Sequence, residues 1–169
     1  MKVLLSGLPR TGKTTLANRL GEIGYTVVKS PTSLLSHEHG AIRTRRAFSL
    51  ACEEAIHYAH NDKVVFDRTV ADVCAFCITL DRLEFGKSTN QIYHVTKVVL
   101  EPYAKSRVYV FNMPIEDNDL EDMDRRRLLD NADTYIDVLI DVYRNCGLRP
   151  IVLSNAKEVC VSDVENEDF

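Results

Sequence analysis

The eight residues at positions 7–14 constrain the fold more than any other feature of the chain. They read G-L-P-R-T-G-K-T and match the spacing G-x-x-x-x-G-K-S/T at every required position. An apolar run at residues 3–6 precedes them and predicts a buried strand, while residues 12–21 have helical spacing. Glycines allow backbone shapes in which successive N–H groups point at phosphate oxygens, and the start of a helix adds partial positive charge. The sequence therefore predicts a strand, a phosphate-binding loop and a helix, in that order.

The chemistry of such a loop assigns roles to its polar side chains. Lys13 is expected to reach the β- and γ-phosphates of a nucleotide, and the Thr14 hydroxyl is expected to bind Mg²⁺. We therefore predict ATP and Mg²⁺ as cofactors, with Lys13 catalytic and Thr14 a metal ligand. The residues predicted to bind the nucleotide are Gly7, Pro9, Arg10, Thr11, Gly12, Lys13, Thr14 and Thr15.

Strands and helices are predicted to alternate along the chain. Apolar or β-branched runs predict strands at residues 3–6, 25–29, 64–66, 107–111 and 151–153, and helical spacing predicts helices at 12–21, 41–60, 70–83, 91–103 and 123–146. Turn-forming residues predict a loop at 30–40, and Gly147 is a plausible cap for the last helix. This alternation predicts an α/β fold with a five-stranded parallel sheet and helices on both faces.

The length and composition fit one domain with one sizeable core. The chain has 169 residues, of which 45% are hydrophobic, and a formal net charge of −4. That charge argues against a protein whose main role is to coat nucleic acid, because such domains are usually basic. We predict a single domain over residues 1–154 and an acidic tail over 155–169, with the last residues, DVENEDF, frayed or disordered.

The cysteines and histidines show no clear metal site. Cys74 and Cys77 have C-x-x-C spacing, but they flank apolar residues with no second pair nearby, so core packing is favoured over metal or redox use. His37 and His39 are interpreted as surface residues. The odd cysteine count of five suits a reducing compartment. No signal peptide and no long apolar span is evident, so a cytoplasmic protein without membrane contact is expected.

Two further segments carry a resemblance to a known family. The sequences VVFDRTVADVCAF at 64–76 and RVYVFNMPIED at 107–117, with the phosphate loop, resemble the P-loop nucleoside and nucleotide kinases over residues 1–153. The resemblance is to the thymidylate kinase group, and more closely to the small AAA-type ATPase/kinase group that includes the ribosylnicotinamide kinase domain. It implies the three-layer P-loop NTPase fold, with a short helical lid at about residues 114–127.

Asp67 and Arg68 follow a predicted strand, at the sheet edge where the phosphate loop also lies. Ligands of open α/β sheets collect at this edge, so Asp67 can orient an acceptor hydroxyl or hold a Mg²⁺ water, and Arg68 can contact a phosphate. The alternative is that Asp67 or Thr69 caps the next helix. The resemblance places a key carboxylate at Asp67, so we predict catalytic roles for Asp67 and Arg68 and metal binding for Asp67.

Arginines at three places complete the predicted site. The resemblance implies that the start of the second long helix lines the acceptor site, so Arg43, Arg46 and Arg68 are predicted to bind substrate, with a solvated helix face as the alternative for the first two. Arg125 and Arg126, in the lid, are predicted to be catalytic through stabilisation of the transferring phosphoryl group. Three consecutive arginines, 125–127, cannot all point inward on a helix, and the sequence does not choose between them.

The predicted function is an ATP- and Mg²⁺-dependent kinase acting on a nucleoside, a nucleoside monophosphate or a related hydroxyl or phosphate acceptor. Many of the resembling kinases carry an acidic residue after the second strand, where this chain has Lys-Ser-Pro-Thr at 29–32. The acceptor therefore stays open, and Asp67 becomes the better candidate for a general base. The alternatives are a DNA kinase acting on a hydroxyl of a modified base, and a non-transferring ATPase or switch that binds a protein partner. The oligomeric state is also open, with a homodimer as one option.

Overall fold

Five parallel strands form the centre of the protein. The computed structural model describes residues 1–35, 40–80, 88–115 and 123–166. The strands are β1 (Lys2–Gly7), β2 (Thr26–Val28), β3 (Val64–Asp67), β4 (Arg107–Phe111) and β5 (Pro150–Leu153). Their spatial order is β2-β3-β1-β4-β5, and every neighbouring pair is parallel. The five-stranded parallel sheet predicted from the sequence is thus confirmed.

Helices cover both faces of the sheet. They are α1 (Lys13–Glu22), α2 (Gly40–His57), α3 (Val70–Thr79), α4 (Thr89–Leu100), α5 (Met123–Asp130), α6 (Ala132–Asn145) and α7 (Val161–Val164). Short 3₁₀ turns lie at Pro31–Leu35, Glu101–Tyr103 and Ala156–Glu158. None of the helices in the described part of the chain is long and apolar enough to cross a membrane.

The alternation of side chains along the central strand divides the core into two layers. Leu4 packs with residues of α2, α3, α4 and α6, whereas Val3 and Leu5 pack with residues of α1 and α7. All three side chains are at most 1% exposed. Because β1 lies between β3 and β4 and is covered on both faces, its carboxyl end places the phosphate loop at the middle of the sheet edge.

The long helix predicted at residues 123–146 is wrong in one respect, because the chain forms two helices there. Helix α5 ends at Asp130 and α6 begins at Ala132, with Asn131 between them at φ −122° and ψ 31°. The Asn131 side-chain amide donates to the Arg127 carbonyl at 2.9 Å. Asparagine competes for backbone hydrogen bonds in this way and breaks helices more readily than most residues.

Other predicted boundaries shift by a few residues. The predicted helix at 41–60 ends at His57, and the one at 91–103 becomes α4 followed by a 3₁₀ turn that contains Pro102. Of the helix predicted at 70–83, Val70–Thr79 forms α3, and residues 81–83 lie outside the described residues. The predicted loop at 30–40 begins with the turn Pro31–Leu35, and residues 36–39, which include His37 and His39, lie outside the described residues. Of the predicted lid, residues 116–122 lie outside them, and its end forms the first part of α5.

The prediction of a frayed chain end is wrong for the described residues up to 166. Residues 156–158 form a 3₁₀ turn and Val161–Val164 forms α7, with Val164 completely buried. Arg107 on β4 donates to the carbonyls of Asp163 and Asn166 and so ties this segment to the sheet. The acidic side chains that suggested disorder are exposed, and they flank the buried Val164. Residues 167–169 lie outside the described part of the chain.

Candidate active site

The phosphate loop needs glycine at its first position. Gly7 has a φ of 115°, and a side chain there would place its Cβ 2.2 Å from the Phe111 carbonyl oxygen of β4. The next residue, Leu8, donates its N–H to that same oxygen at 2.9 Å. Any other residue at position 7 would force β1 and β4 apart, so this glycine is set by the close approach of two backbones as well as by its torsion angle.

The outer side of the loop is held by the segments that follow β4 and β5. Ile115 N–H donates to the Arg10 carbonyl and Ala156 N–H to the Thr11 carbonyl, each at 2.8 Å. Arg10 has a φ of 58°, a conformation uncommon for a residue with a side chain. Neither Ile115 nor Ala156 lines the cavity beside the loop. The two carbonyls, which would repel a phosphate, are thereby satisfied by groups away from the ligand side.

Lys13 is buried within the loop that it serves. Its ammonium donates to the Leu8 carbonyl and, at 3.0 Å, to the Thr11 hydroxyl, and the residue is only 5% exposed. Burial lowers the pKa of this amine well below its usual value, and the nearby Arg68 lowers it further. A bound phosphate would counter both effects, because an anion next to the amine favours its charged form.

Thr14 and Asp67 meet across the carboxyl edge of the sheet. The Thr14 hydroxyl, in the first turn of α1, donates to a carboxylate oxygen of Asp67 at the end of β3, with 2.6 Å between the oxygens. A hydroxyl and a carboxylate are the oxygen ligands that Mg²⁺ prefers beside nucleotide phosphates. This pair fits a magnesium ion, and it explains why Asp67 does not cap α3: the cap is Thr69, whose side chain accepts from Ala71 N–H at 3.1 Å.

Arg68 occupies a strained backbone position between β3 and α3. Its φ is 71°, and its N–H donates to the Leu5 carbonyl of β1 at 2.8 Å. Burial opposes the charge on its guanidinium, but Tyr135 and Asp72 outweigh that effect and the pKa is raised. The nearest guanidinium nitrogen lies 3.5 Å from the Asp72 carboxylate. Strain of this kind is usually kept only where it positions a functional group, and here it directs the side chain towards the cavity at the sheet edge.

Asp72 is a central residue of the site that the sequence interpretation missed. It is 3% exposed and accepts hydrogen bonds from the Ser6 hydroxyl, the N–H groups of Gly7 and Thr69, and the Tyr135 hydroxyl, at 2.5–3.1 Å. The carboxylate thus fixes the first residue of the phosphate loop, the start of α3 and one face of α6. The spacing T-x-x-D at 69–72, a capping box, was the available sequence signal.

A chain of hydroxyl groups with a defined direction leads to this carboxylate. Ser6 uses its one proton on Asp72, so the Tyr143 hydroxyl, 2.5 Å from Ser6, must donate to Ser6. Tyr143 then has no proton left for Thr69, which must donate to Tyr143 across 2.7 Å. Burial raises the pKa of Tyr143, and Asp72 raises it further, so this hydroxyl keeps its proton. The network is fully satisfied and therefore rigid.

Two cavities lie beside these residues. The larger, of about 580 Å³, is bordered by the phosphate loop and by Lys29, Ser30, Ser33, Asp67, Arg68 and Arg125. The smaller, of about 50 Å³, lies between α2, α3, α5 and α6 and has mostly apolar walls, including Val73, Phe76 and Leu128. Arg68 and Arg125 border both cavities, so the two spaces meet at these side chains.

The structure brings most of the predicted residues together. Pro9, Arg10, Thr11, Gly12, Lys13, Thr14, Thr15, Asp67, Arg68 and Arg125 line the larger cavity. Arg43 lines the smaller one, is 6% exposed, and contacts Asp124 at 3.2 Å and the Thr32 carbonyl at 3.0 Å. Their roles in binding and catalysis stay predictions.

Arg46 and Arg126 are not brought to the site, because neither lines either of the two cavities. The third lid arginine, Arg127, donates to the Leu80 carbonyl at 2.7 Å and lies over the Phe76 ring, so it fastens α5 to α3. Among the three consecutive arginines, the geometry therefore selects Arg125 as the one that faces the phosphate loop.

The sequence matches the model of one protein family, described as an AAA domain, over residues 2–158. The chain belongs to this AAA family. Its phosphate loop, parallel sheet and helical layers form the P-loop NTPase fold that the resemblance implied, and the AAA-type group named in that resemblance is confirmed. None of the curated proteins matches the sequence significantly.

Two solved structures share the fold at low sequence identity. The YorR protein from Bacillus subtilis, in complex with phosphorylated GDP, has a TM-score of 0.55 and 17% identity, with 97% of this chain and 91% of that chain covered. Deoxyadenosine kinase from M. mycoides with bound dCTP has a TM-score of 0.51 and 15% identity, with 98% and 95% covered. At these identities the likeness concerns the fold.

Proposed function

We propose that the chain is an ATP- and Mg²⁺-dependent kinase that transfers the γ-phosphoryl group to a nucleoside, a nucleoside monophosphate or a related acceptor. The observation that carries this proposal is the contact between Thr14 and Asp67 beside Lys13, in a cavity that Arg68 and Arg125 also border. A loop that only bound a nucleotide would not need two further arginines at the place where charge develops during transfer.

Each of these residues has a defined task in the reaction. Lys13 exchanges its contacts with Leu8 and Thr11 for phosphate oxygens and neutralises charge there. Arg68, held by Asp72, and Arg125, at the start of α5, stabilise the oxygens of the group in transfer. Thr14 and Asp67 would hold Mg²⁺, which would supply charge neutralisation at the β- and γ-phosphates. Catalysis is then positioning and electrostatics, with little covalent chemistry for the protein to perform.

The two structures of similar fold support the proposal without fixing the substrate. One is named a deoxyadenosine kinase and holds dCTP, and the other is described as a complex with phosphorylated GDP. Both ligands are nucleotides, as the proposal requires of this chain. We also propose a cytoplasmic location, as expected from the odd cysteine count of five.

The test is to follow the labelled phosphate of γ-labelled ATP, with Mg²⁺, across a panel of nucleosides, nucleoside monophosphates and DNA. We expect label to move to an acceptor, and Asp67→Asn to lower kcat by at least about 100-fold with a much smaller change in ATP binding. Lys13→Ala should abolish turnover, because Lys13 is the one buried cation of the loop.

The matched control is Asp137→Asn, which removes one carboxylate from an exposed position on α6 and should leave kcat unchanged. Label released only to water would reject the kinase proposal in favour of an ATPase or switch. Label on a hydroxyl of a DNA base would identify the DNA kinase instead, and an unchanged kcat in Asp67→Asn would return that residue to a structural role.

A further inference from the structure

Arg43 connects three segments that lie far apart in the sequence. It belongs to α2, and its guanidinium donates to the Thr32 carbonyl at 3.0 Å and to the Asp124 carboxylate at 3.2 Å. Thr32 lies in the 3₁₀ turn Pro31–Leu35, and Asp124 lies in the first turn of α5. The side chain of Arg43 is 7% exposed and that of Asp124 is 24% exposed. A charged hydrogen bond so well shielded from water is screened much less than a surface ion pair.

These contacts bear on the prediction that Arg43 binds substrate. Arg43 borders the smaller cavity, as that prediction requires. Its two terminal nitrogens, however, both donate to protein acceptors. An anionic substrate would have to displace Asp124 from a buried guanidinium, and separating a buried pair of charges is costly. The contacts therefore favour a role within the protein.

Helix α5 is fastened through the face that carries Asp124, Arg127 and Leu128, which are three or four residues apart. Leu128 is buried in the core. Arg127 donates to the Leu80 carbonyl, just after α3, and lies over the Phe76 ring. The start of α5 is thus tied to α2 through Asp124 and to α3 through Arg127.

Arg125 lies between the two fastened residues in the sequence. Each step along an α-helix turns the side chain by about 100°, so Arg125 lies beside the packed face and Arg126 is turned further away. In agreement with this geometry, Arg125 borders both cavities and Arg126 borders neither. The direction of Arg125 therefore depends on the rotation of α5 about its axis, which the contacts of Asp124 and Arg127 fix.

Resting on the function proposed above, in which Arg125 stabilises the group in transfer, we infer that Arg43 is a positioning residue for Arg125. Arg43 holds Asp124 and thereby sets the rotation of α5 that directs Arg125 towards the phosphate loop. It acts through Arg125 and contacts no reacting atom. Without Arg43 the protein should still bind ATP, but Arg125 would lose the orientation in which it stabilises the developing charge.

The first experiment compares the kinetics of Arg43→Gln with those of wild type, using γ-labelled ATP, Mg²⁺ and an acceptor that takes up label. We expect kcat to fall about 10-fold, with the KM values for ATP and acceptor changed by less than about 2-fold. Asp124→Asn removes the other half of the contact from a partly exposed position and should cause the same loss. The matched control is Arg45→Gln, at an exposed arginine of α2 that borders neither cavity, which should leave kcat unchanged.

The second experiment asks whether Arg43 acts through Arg125. Arg125→Ala should lower kcat about 100-fold, and adding Arg43→Gln should lower it by less than about a further 2-fold, because the side chain being positioned is gone. Binding of ADP with Mg²⁺ and aluminium fluoride, a mimic of the phosphoryl group in transfer, gives a second readout. Arg43→Gln should weaken this binding about 10-fold and that of ADP with Mg²⁺ alone much less.

The outcomes separate the inference from the function on which it rests. Equal kcat in Arg43→Gln and wild type overturns the inference, and so does a loss of about 10-fold that persists when Arg125 is already alanine. A raised KM for the acceptor with an unchanged kcat would return Arg43 to substrate binding. Label released only to water overturns the kinase proposal alone, because the hydrolysis rate and the aluminium fluoride complex then report on Arg125 in the same way.

Discussion

Asp72 receives hydrogen bonds from three separate parts of the chain: from Ser6 and Gly7 at the end of β1, from Thr69 before α3, and from Tyr135 on α6. The first residue of the phosphate loop, Gly7, is therefore held by a side chain that is not part of the loop. Since the same carboxylate lies 3.5 Å from Arg68, it links the position of the loop to that of the arginine.

We predict that Asp72→Asn destabilises the protein and weakens the positioning of Arg68. The amide has nearly the same shape, but it presents an NH₂ group to a site that is filled with donors and leaves Arg68 without its buried counter-charge. The expected loss in free energy of unfolding is about 3 kcal/mol. The measurement is urea unfolding at pH 7, with kcat and KM determined at a temperature where the variant is folded.

The kinetic part of this prediction distinguishes positioning from simple loss of stability. A displaced Arg68 should lower kcat more than it raises KM for ATP, because its charge acts on the group in transfer. The control is Asp133→Asn, which changes an exposed carboxylate in the first turn of α6. An Asp72→Asn protein with wild-type stability would contradict the role given to the network.

Contacts between residues that are close in the sequence could be predicted, and contacts between distant residues could not. The phosphate loop is contiguous, so its residues and their chemistry are legible from positions 7–14 alone. The network around Asp72 depends on Tyr135 and Tyr143, which lie 63 and 71 residues further along the chain. Their spacing on α6 is that of an ordinary apolar helix face. Only the packing of that helix against α3 brings the Tyr135 hydroxyl to the carboxylate and the Tyr143 hydroxyl to Ser6 and Thr69.

Among the elements, helix positions were predictable and helix ends were less so. Hydrophobic spacing locates α2 and α4, because each buries one stripe in the core, whereas α3 is buried on all sides from Val70 to Cys77. The ends depend on single side-chain contacts, such as the one that Asn131 makes with Arg127. Arg43 and Arg46 are three residues apart on α2, yet one is buried and the other is exposed, because the helix turns only the first of them towards α5.

Helix α2 carries a carboxyl group whose titration should be visible in the stability of the protein. Burial, with the adjacent Glu53, raises the pKa of Glu54 to about 7. Its side chain borders a small cavity with largely apolar walls that include Phe66, Leu100 and Tyr103. The folded state therefore binds a proton more tightly than the unfolded chain, in which a glutamate titrates near 4.5.

We predict that this contribution to stability is full below pH 4.5 and is lost as the pH rises to about 7. Between these values the folded state holds the additional proton, so the free energy of unfolding falls with increasing pH. The expected loss is about 1 kcal/mol, because the partial exposure of Glu54 reduces the effect. Denaturant unfolding of wild type and Glu54→Gln at pH 5, 6 and 7.5 measures it, since the variant should lack this component.

The control for this experiment is Glu22→Gln, at the exposed end of α1. Glu54→Gln should gain stability relative to wild type as the pH rises, whereas Glu22→Gln should not. A stability difference between Glu54→Gln and wild type that is independent of pH would contradict the assignment.

At the scale of the whole molecule, the sheet order explains why residues far apart in sequence meet. Because β1 is central and all strands are parallel, the carboxyl ends of β1, β2 and β3 deliver the phosphate loop, Lys29 and Asp67 to one edge. The alternation of strands and helices predicts a parallel sheet with helices on both faces, but the strand order comes from the structure. The packing of residues 155–166 onto the core was not predictable. Their composition is acidic, and their few apolar side chains are buried only because they pack against α1.

That segment closes the α1 face of the core and contacts the site. Ala156, Val159 and Val164 are buried there with Leu16 and Leu20 of α1, and Ala156 N–H holds the Thr11 carbonyl of the phosphate loop. If the segment were frayed, none of these residues would affect stability. The structure instead makes Val164, fully buried on a four-residue helix, a part of the core.

We predict that Val164→Ala lowers the free energy of unfolding by about 2 kcal/mol, and that Val164→Asp lowers it further because it buries an unpaired carboxylate. The matched control is Val98→Ala, since Val98 is a valine on α4 that is 55% exposed and should change stability by less than about 0.5 kcal/mol. Thermal unfolding measures the stability of all three variants. It is repeated with Mg²⁺ and ATP, which should still raise the Tm of Val164→Ala because Val164 does not line the cavity. Equal Tm values for Val164→Asp and wild type would mean that the segment does not pack against α1 in solution.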